Sequence, residues 1–234
     1  MTTTALITGA NKGIGFEIAR LLAERGVTAV IGARDEERGR AAAERLGQPY
    51  VRLDVTDEES VQAAAKWIET EYGRLDVLVN NAAIAGGAAE PSSTPAAELR
   101  EVYETNVFGV VTVTNAMLPL LRRSQAGRIV NMSSELGSLS MALDPGSPFW
   151  ETNLLAYNSS KTALNMVTVA YAKELRDTPI KVNAVTPGYC ATDLNGHSGY
   201  RTPEQGAVIA VRLALAGADG PTGAYQDENG PIPW

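Results

Sequence analysis

The 234-residue sequence holds a single cysteine, Cys190, and a single histidine, His197. One cysteine excludes an internal disulfide and a cysteine-rich zinc site. One histidine disfavours mechanisms built on paired imidazoles and most histidine-based metal centres, so no metal is expected. No apolar run reaches the length of a bilayer span, and no basic-then-apolar leader opens the chain. The expectation is a cytoplasmic protein with no membrane partner. Basic excess is also missing. Lys and Arg number 20 against 27 Asp and Glu, a net charge of −7, which argues against nucleic acid as a partner. What remains is length enough for one domain with a sizeable core, and neither repeats nor linkers interrupt residues 1–234.

The positive signal begins at residues 4–15. Ala5-Leu6-Ile7 reads as a buried strand that breaks into a glycine turn, Gly9-Ala-Asn11-Lys12-Gly13-Ile14-Gly15. A helical apolar rhythm follows at Ile14, Ile18, Leu21 and Leu22. Strand, glycine turn and helix start together bring a pyrophosphate to a helix N-terminus, where free N–H groups face the anion.

Strands are expected near 27–33, 50–53, 75–79, 128–132, 181–185 and 223–226, alternating with helices. Asp35 is placed to cap the helix over 36–46. Thr56 and Glu59 form a capping-box pattern for a helix through Tyr72. A long helix past Asn106 to Arg122 is expected to bend near Pro119. Residues 84–95, 137–155 and 187–202 read as loops. Alternating strands and helices imply a doubly wound parallel sheet of Rossmann type in three α/β/α layers. Ligands bind such sheets at the carboxyl ends of the strands. Here those ends are Thr8–Gly9, Ala33–Arg34, Asp54, Asn80–Asn81, Ser133–Ser134 and Thr186–Gly188.

Tyr157 and Lys161 stand four apart at the start of one helix and share a face. A nearby ammonium favours the phenolate and brings tyrosine into catalytic range. Ser133 or Ser134, at an adjacent strand end, is placed to hold a carbonyl oxygen for that phenol. Cys190 reads as a small, partly buried apolar residue and His197 as exposed loop.

Taken together, Thr8-Gly9-x-x-x-Gly13-Ile14-Gly15, Asn80-Asn81-Ala82, Asn106, Ser133-Ser134, Tyr157-x-x-x-Lys161 and Pro187-Gly188 resemble the short-chain dehydrogenase/reductase family over essentially the whole chain. Gly9 to Gly15, Ala33-Arg34-Asp35 and Trp234 look most like its carbonyl reductases. The resemblance implies Tyr157 as proton donor to a carbonyl oxygen. Lys161 would lower its pKa and bind the nicotinamide ribose. Ser134 would orient the carbonyl, with Ser133 its structural neighbour. Asn106 would hold a relay water; a residue capping a bent helix is the other reading. Gly9, Gly13 and Gly15, with Asn11, Lys12 and Ile14 of the same turn, would cradle the pyrophosphate. Asp54 and Val55 would meet the adenine. Asn81 and Ala82 would lie along the cofactor, and Pro187, Gly188 and Thr192 over its nicotinamide end. Ala83 stands where the family has glycine, and the Ser134–Tyr157 interval is about ten residues longer than the family's short form, by resemblance alone.

The residue ending the second strand is Ala33 rather than an acid, and Arg34 follows. With Lys12 it supplies two cations suited to a ribose 2′-phosphate, so NADP is expected over NAD. The competing ribose acid, Asp35, is better placed as a helix cap. The expected activity is reduction of a small-molecule ketone, aldehyde or quinone. An alcohol-oxidising dehydrogenase running in reverse is the alternative direction. A dinucleotide sensor usually loses the tyrosine or lysine, and a methyltransferase would need neither. An epimerase of the extended branch would need a longer C-terminal domain.

Assembly is legible in two helices. Leu164, Thr168, Tyr171 and Leu175 form the expected sheet face of the helix over 156–176. Its back carries Met166, Val169 and Ala170. The helix after Asn106 is apolar nearly all round, with Val107, Phe108, Val110, Val111, Val113, Met117 and Leu118. A homodimer or homotetramer is expected.

Overall fold

The computed structural model describes residues 2–234. Its centre is β1 (Thr4–Thr8), β2 (Thr28–Ala33), β3 (Tyr50–Arg52), β4 (Val77–Asn80), β5 (Arg128–Met132), β6 (Lys181–Val185) and β7 (Tyr225–Gln226). These pair in parallel in the order β3-β2-β1-β4-β5-β6-β7. The helices are α1 (Gly13–Ala23), α2 (Glu36–Leu46), α3 (Glu58–Tyr72), α4 (Ala96–Tyr103), α5 (Gly109–Leu121), the short α6 (Leu139–Ala142), α7 (Leu155–Glu174) and α8 (Pro203–Ala214).

Side chains alternate across the sheet with period two, which builds two cores. Ile7, Val79, Val130 and Val185 pack against Ile18, Leu22 and Ala42 of α1 and α2 and Ala210 and Leu213 of α8. Leu6, Leu78, Ile129 and Val182 pack against Ile68 of α3, Val113 and Met117 of α5 and Ala172 of α7. The result is the expected three-layer Rossmann-type arrangement. From β1 the chain winds outward to β2 and β3, then returns to β4 on β1's other side. The loops after β1 and β4 therefore diverge, and a cleft opens at the carboxyl ends of those strands.

One local expectation is corrected. The cap of α3 is Asp57, whose Oδ1 accepts from the amides of Glu59 and Ser60. Thr56 instead donates to Asp54 Oδ1 at 2.8 Å. A carboxylate one residue nearer the first turn displaces the hydroxyl. An interruption of the long helix, not read from the sequence, precedes Pro119, which lies inside α5. It is a π-helical turn at Glu104–Phe108 between α4 and α5, where Asn106 is drawn fully inward to its polar partners. Tyr171 packs against the core at the edge of the sheet face of α7. It is half-buried and its hydroxyl donates to Asn115 Oδ1 of α5 at 2.7 Å, while Ala172 takes the core position. A phenol needs a polar partner that the apolar sheet does not offer. The cap expected of Asp35 and the helix ends at Leu46 and Tyr72 are as read from the sequence, with Gly47 and Gly73 as the C-caps. Among the described residues, no helix is long and apolar enough to cross a membrane.

Candidate active site

The cleft at the strand ends has a volume of about 820 Å³. Its walls include Gly9, Asn11, Lys12, Gly13, Ile14, Gly15, Arg34, Asp54, Val55, Asn81, Ala82, Tyr157, Lys161, Pro187 and Thr192. Gly188 is the one cofactor residue named from the sequence that stands back from it. With φ +72° it turns the chain there, and a Cβ would lie 2.7 Å from Arg201 Cδ.

The glycine turn is held by a threonine that sequence reading placed only as a strand end. Thr8 Oγ1 accepts from the amides of Asn81 (2.9 Å) and Ala82 (3.0 Å). Asn81 Nδ2 donates in turn to the Thr8 carbonyl at 2.9 Å. This explains Gly15: a Cβ there would lie 2.5 Å from Asn81 Nδ2 and 2.7 Å from the Gly9 carbonyl oxygen. The glycine makes room for a protein side chain that joins the ends of β1 and β4. No side chain caps the N-terminus of α1. The first-turn amides of α1 face the cleft, with the positive end of the helix dipole behind them. These features fit a dinucleotide pyrophosphate.

At the adenosine end, Arg34 is exposed on the cleft wall. Asp35 turns away, capping α2 through Oδ1 to the Arg38 amide at 3.0 Å. Asp54 lines the cleft while its Oδ1 also accepts from the Thr56 amide. Lys12 is not free: its ammonium pairs with Asp193, whose other oxygen lies 2.9 Å from His197 Nε2. Nothing in the sequence linked residues so far apart in the chain.

The chemistry lies at the opposite end. Ser133 is buried and donates to Asn165 Oδ1 at 2.6 Å. Ser134 is the one beside Tyr157, near enough for its hydroxyl to act on the phenol. Burial pushes that phenol up to about 12, and the Ser134 hydroxyl pulls against the rise. Lys161 is 2% exposed, and its ammonium donates to the Met132 carbonyl at 2.8 Å. It lies 5.5 Å from the Tyr157 ring centroid. Burial holds it down at about 8. Desolvation thus dominates the tyrosine in this structure, where the Lys161 ammonium is turned to a main-chain oxygen.

The Asn106 side chain is fully engaged. It exchanges hydrogen bonds with both main-chain groups of Ile84 at 2.9 Å, and its Nδ2 also donates to Ser160 Oγ at 3.0 Å. It ties the π turn to the strand-end loop after β4 and to α7. Cys190 is buried with its Sγ 3.3 Å from the Pro187 carbonyl, and burial raises its pKa. His197 is an exposed loop residue with φ +62°.

A Rossmann-type sheet whose crevice carries a glycine cradle at one end and Tyr157 with a buried Lys161 at the other defines a nucleotide-dependent oxidoreductase class. The family model "short chain dehydrogenase" matches residues 3–201. The chain belongs to the short-chain dehydrogenase/reductase family. It is 40% identical over 227 residues to the short-chain dehydrogenase anuI of Penicillium roqueforti, covering 91% of this chain and 88% of that protein. It is 35% identical over 276 aligned positions to carbonyl reductase [NADPH] 1 of Rattus norvegicus, covering 98% of each. Among solved structures, a short-chain dehydrogenase from Shigella flexneri 2a complexed with NADP superposes with a TM-score of 0.83 at 28% identity, covering 96% of each chain.

Proposed function

We propose that this protein is an NADPH-dependent reductase of small-molecule carbonyl compounds. The observation that carries the reading is that Tyr157 and Lys161, with Ser134 beside the tyrosine, stand at one end of the cleft that Arg34 and the glycine turn line at the other. The cofactor, when bound, supplies the hydride. Tyr157 gives its phenolic proton to the carbonyl oxygen. A phenol held up at about 12 is protonated throughout the neutral range and suits the role of acid. Ser134 holds the same oxygen in line with the phenol. Lys161, 5.5 Å from the ring, holds positive charge beside the phenolate that proton loss leaves. Asn106 positions the π turn against α7 rather than touching substrate. Arg34 would meet a 2′-phosphate, with no acid at the end of β2 to repel it. The NADP complex of the Shigella relative and the NADPH-named rat relative support that choice.

The reading includes self-association. Phe108 is 52% and Met166 60% exposed, on the backs of the helical layer formed by α4, α5 and α7. The stretch between Ser134 and α7 does not cover them; its α6 is bonded to the last residues of the chain instead. A homodimer or homotetramer would bury both side chains.

The test is a panel of ketones, aldehydes and quinones with NADPH, for wild type and Tyr157→Phe. The variant loses one hydroxyl far from the phosphate cradle. Its turnover should fall by about 10²–10⁴-fold with NADPH affinity nearly unchanged. Turnover near the wild-type rate would overturn the assignment.

A further inference from the structure

The last ten residues of the chain reach three parts of the candidate site at once. Tyr225, on the edge strand β7, is 2% exposed, and its hydroxyl donates to the Ser134 carbonyl at 2.5 Å. Its ring stacks on Trp234 with centroids 5.2 Å apart and planes at 28°. A tight turn makes the stack. Asp227 Oδ1 accepts from the amides of Asn229 and Gly230, and the chain folds back so that the Ile232 amide donates to the Tyr225 carbonyl at 2.8 Å. Beyond the turn, Ser138 Oγ donates to the Pro233 carbonyl at 2.6 Å. Ser140 donates to the Trp234 main-chain oxygen from its amide (3.2 Å) and its hydroxyl (2.8 Å). On the other side, Glu228 pairs with Arg201 at 2.7 Å, at the end of the 187–202 loop.

The segment after Ser134 is thus gripped from two directions. Helix α7 holds it through Thr162 and Asn165, both of which donate to the Gly137 carbonyl. The tail holds it through Tyr225, Pro233 and Trp234. Ser134 sits between the grips beside Tyr157, its Oγ accepting from the Leu136 amide at 3.3 Å. A hydrogen bond to a reacting group loses most of its effect when the partner moves by about 1 Å. An interior tyrosine whose only donor is aimed at the main chain of the carbonyl-holding serine is placed to prevent that movement.

We infer that residues 225–234 are a positioning element of the catalytic site: Tyr225, backed by Trp234, sets where Ser134 stands against Tyr157. The inference rests on the reading of Ser134 and Tyr157 given above. Tyr225 touches neither the reacting atoms nor the cofactor cleft, so it is a positioning residue. Burial and the Glu135 carboxylate raise the Tyr157 phenol, the Ser134 hydroxyl works against that rise, and the Lys161 ammonium stands 5.5 Å from the ring. Loosening Ser134 therefore moves the phenol's titration upward.

The experiment compares wild type, Tyr225→Phe, Trp234→Ala and Trp234→Phe. NADP-linked alcohol oxidation is followed against pH, because that direction needs the phenolate. In Tyr225→Phe and Trp234→Ala, kcat should fall about 5–30-fold and the apparent pKa should rise by about half a pH unit or more, with the NADPH Kd within about twofold. Trp234→Phe, which keeps a stacking ring, should restore the wild-type profile. A loss confined to folding stability lowers the active fraction and leaves the pH profile in place, so an unmoved profile overturns the inference. Amide hydrogen exchange gives a second readout that needs no turnover. Leu136 and Gly137 should exchange faster in Tyr225→Phe and Trp234→Ala, and unchanged exchange overturns the inference even if wild type oxidises none of the alcohols tried. Tyr157→Phe run alongside separates the two readings. If it stays active, the functional reading fails; if it is inactive while the tail variants keep the wild-type profile and exchange, the tail inference alone fails.

Discussion

Replacing Lys161 with methionine should make the protein more stable and catalytically empty. The lysine sits in the interior with its ammonium on one main-chain oxygen, and burial lowers it from 10.5 to about 8. At about 1.36 kcal/mol per pH unit, that drop represents about 3 kcal/mol by which folding disfavours the charged form. Methionine fills much the same volume without a charge, at the loss of the hydrogen bond to Met132, about 1 kcal/mol. The net gain near pH 7 is about 2 kcal/mol, and for a domain of this size it should raise the Tm by about 4–8 °C. The sign of the pH dependence follows from the lowered pKa. Below about pH 8 the lysine is charged in both folded and unfolded states, and the whole penalty is present. Between about 8 and 10.5 the folded protein has shed the proton while the unfolded chain still holds it, so wild-type stability recovers with rising pH. The gap between wild type and Lys161→Met should therefore be widest at neutral pH and narrow toward pH 10. Thermal unfolding without cofactor at pH 7 and pH 9.5 measures it. NADPH affinity and turnover of the variant should both fall. A less stable variant, or a gap that ignores pH, would show that the ammonium is held by more than the structure contains.

Three further outcomes are expected. Ala33→Asp with Arg34→Ala should move the NADPH:NADH preference toward NADH by about tenfold or more, since a charge-assisted bond to phosphate is lost and a ribose acid gained; unchanged specificity in steady-state kinetics would refute the role of Arg34. Asp193→Asn releases Lys12 from an exposed pair and should tighten NADPH binding by at most about fivefold at low salt, with the gain vanishing at high salt; isothermal titration decides it. Phe108→Glu with Met166→Glu should convert the proposed oligomer to monomer by sedimentation at micromolar concentration, and a wild-type monomer would refute the proposed interface.

Local signals carried far along this chain. Strand 128–132 was placed to the residue, and α2 was bounded correctly because Asp35 and Gly47 act within one turn of the helix they cap. The cleft walls were legible for a similar reason. In a parallel α/β sheet every strand ends on the same side, so polar residues that interrupt apolar runs at those ends converge without any knowledge of contacts. Thr56 misled because two cap-forming residues stood side by side, and only geometry chose Asp57.

What the sequence by itself determined is the periodic part of this protein: seven apolar runs of strand length, the helices between them, and the residue types at each strand's end. Those depend on backbone period and short-range hydrogen bonding, which neighbours in sequence control. The tertiary structure alone decided the rest. It turned the Ser133 hydroxyl to Asn165. It spent Asn106 on Ile84 and Ser160, tied Lys12 to Asp193, and laid Trp234 on Tyr225 behind Ser134. Each of these joins residues far apart in the chain. Which of several possible partners a polar side chain meets is settled only when the layers pack and every buried donor must find an acceptor.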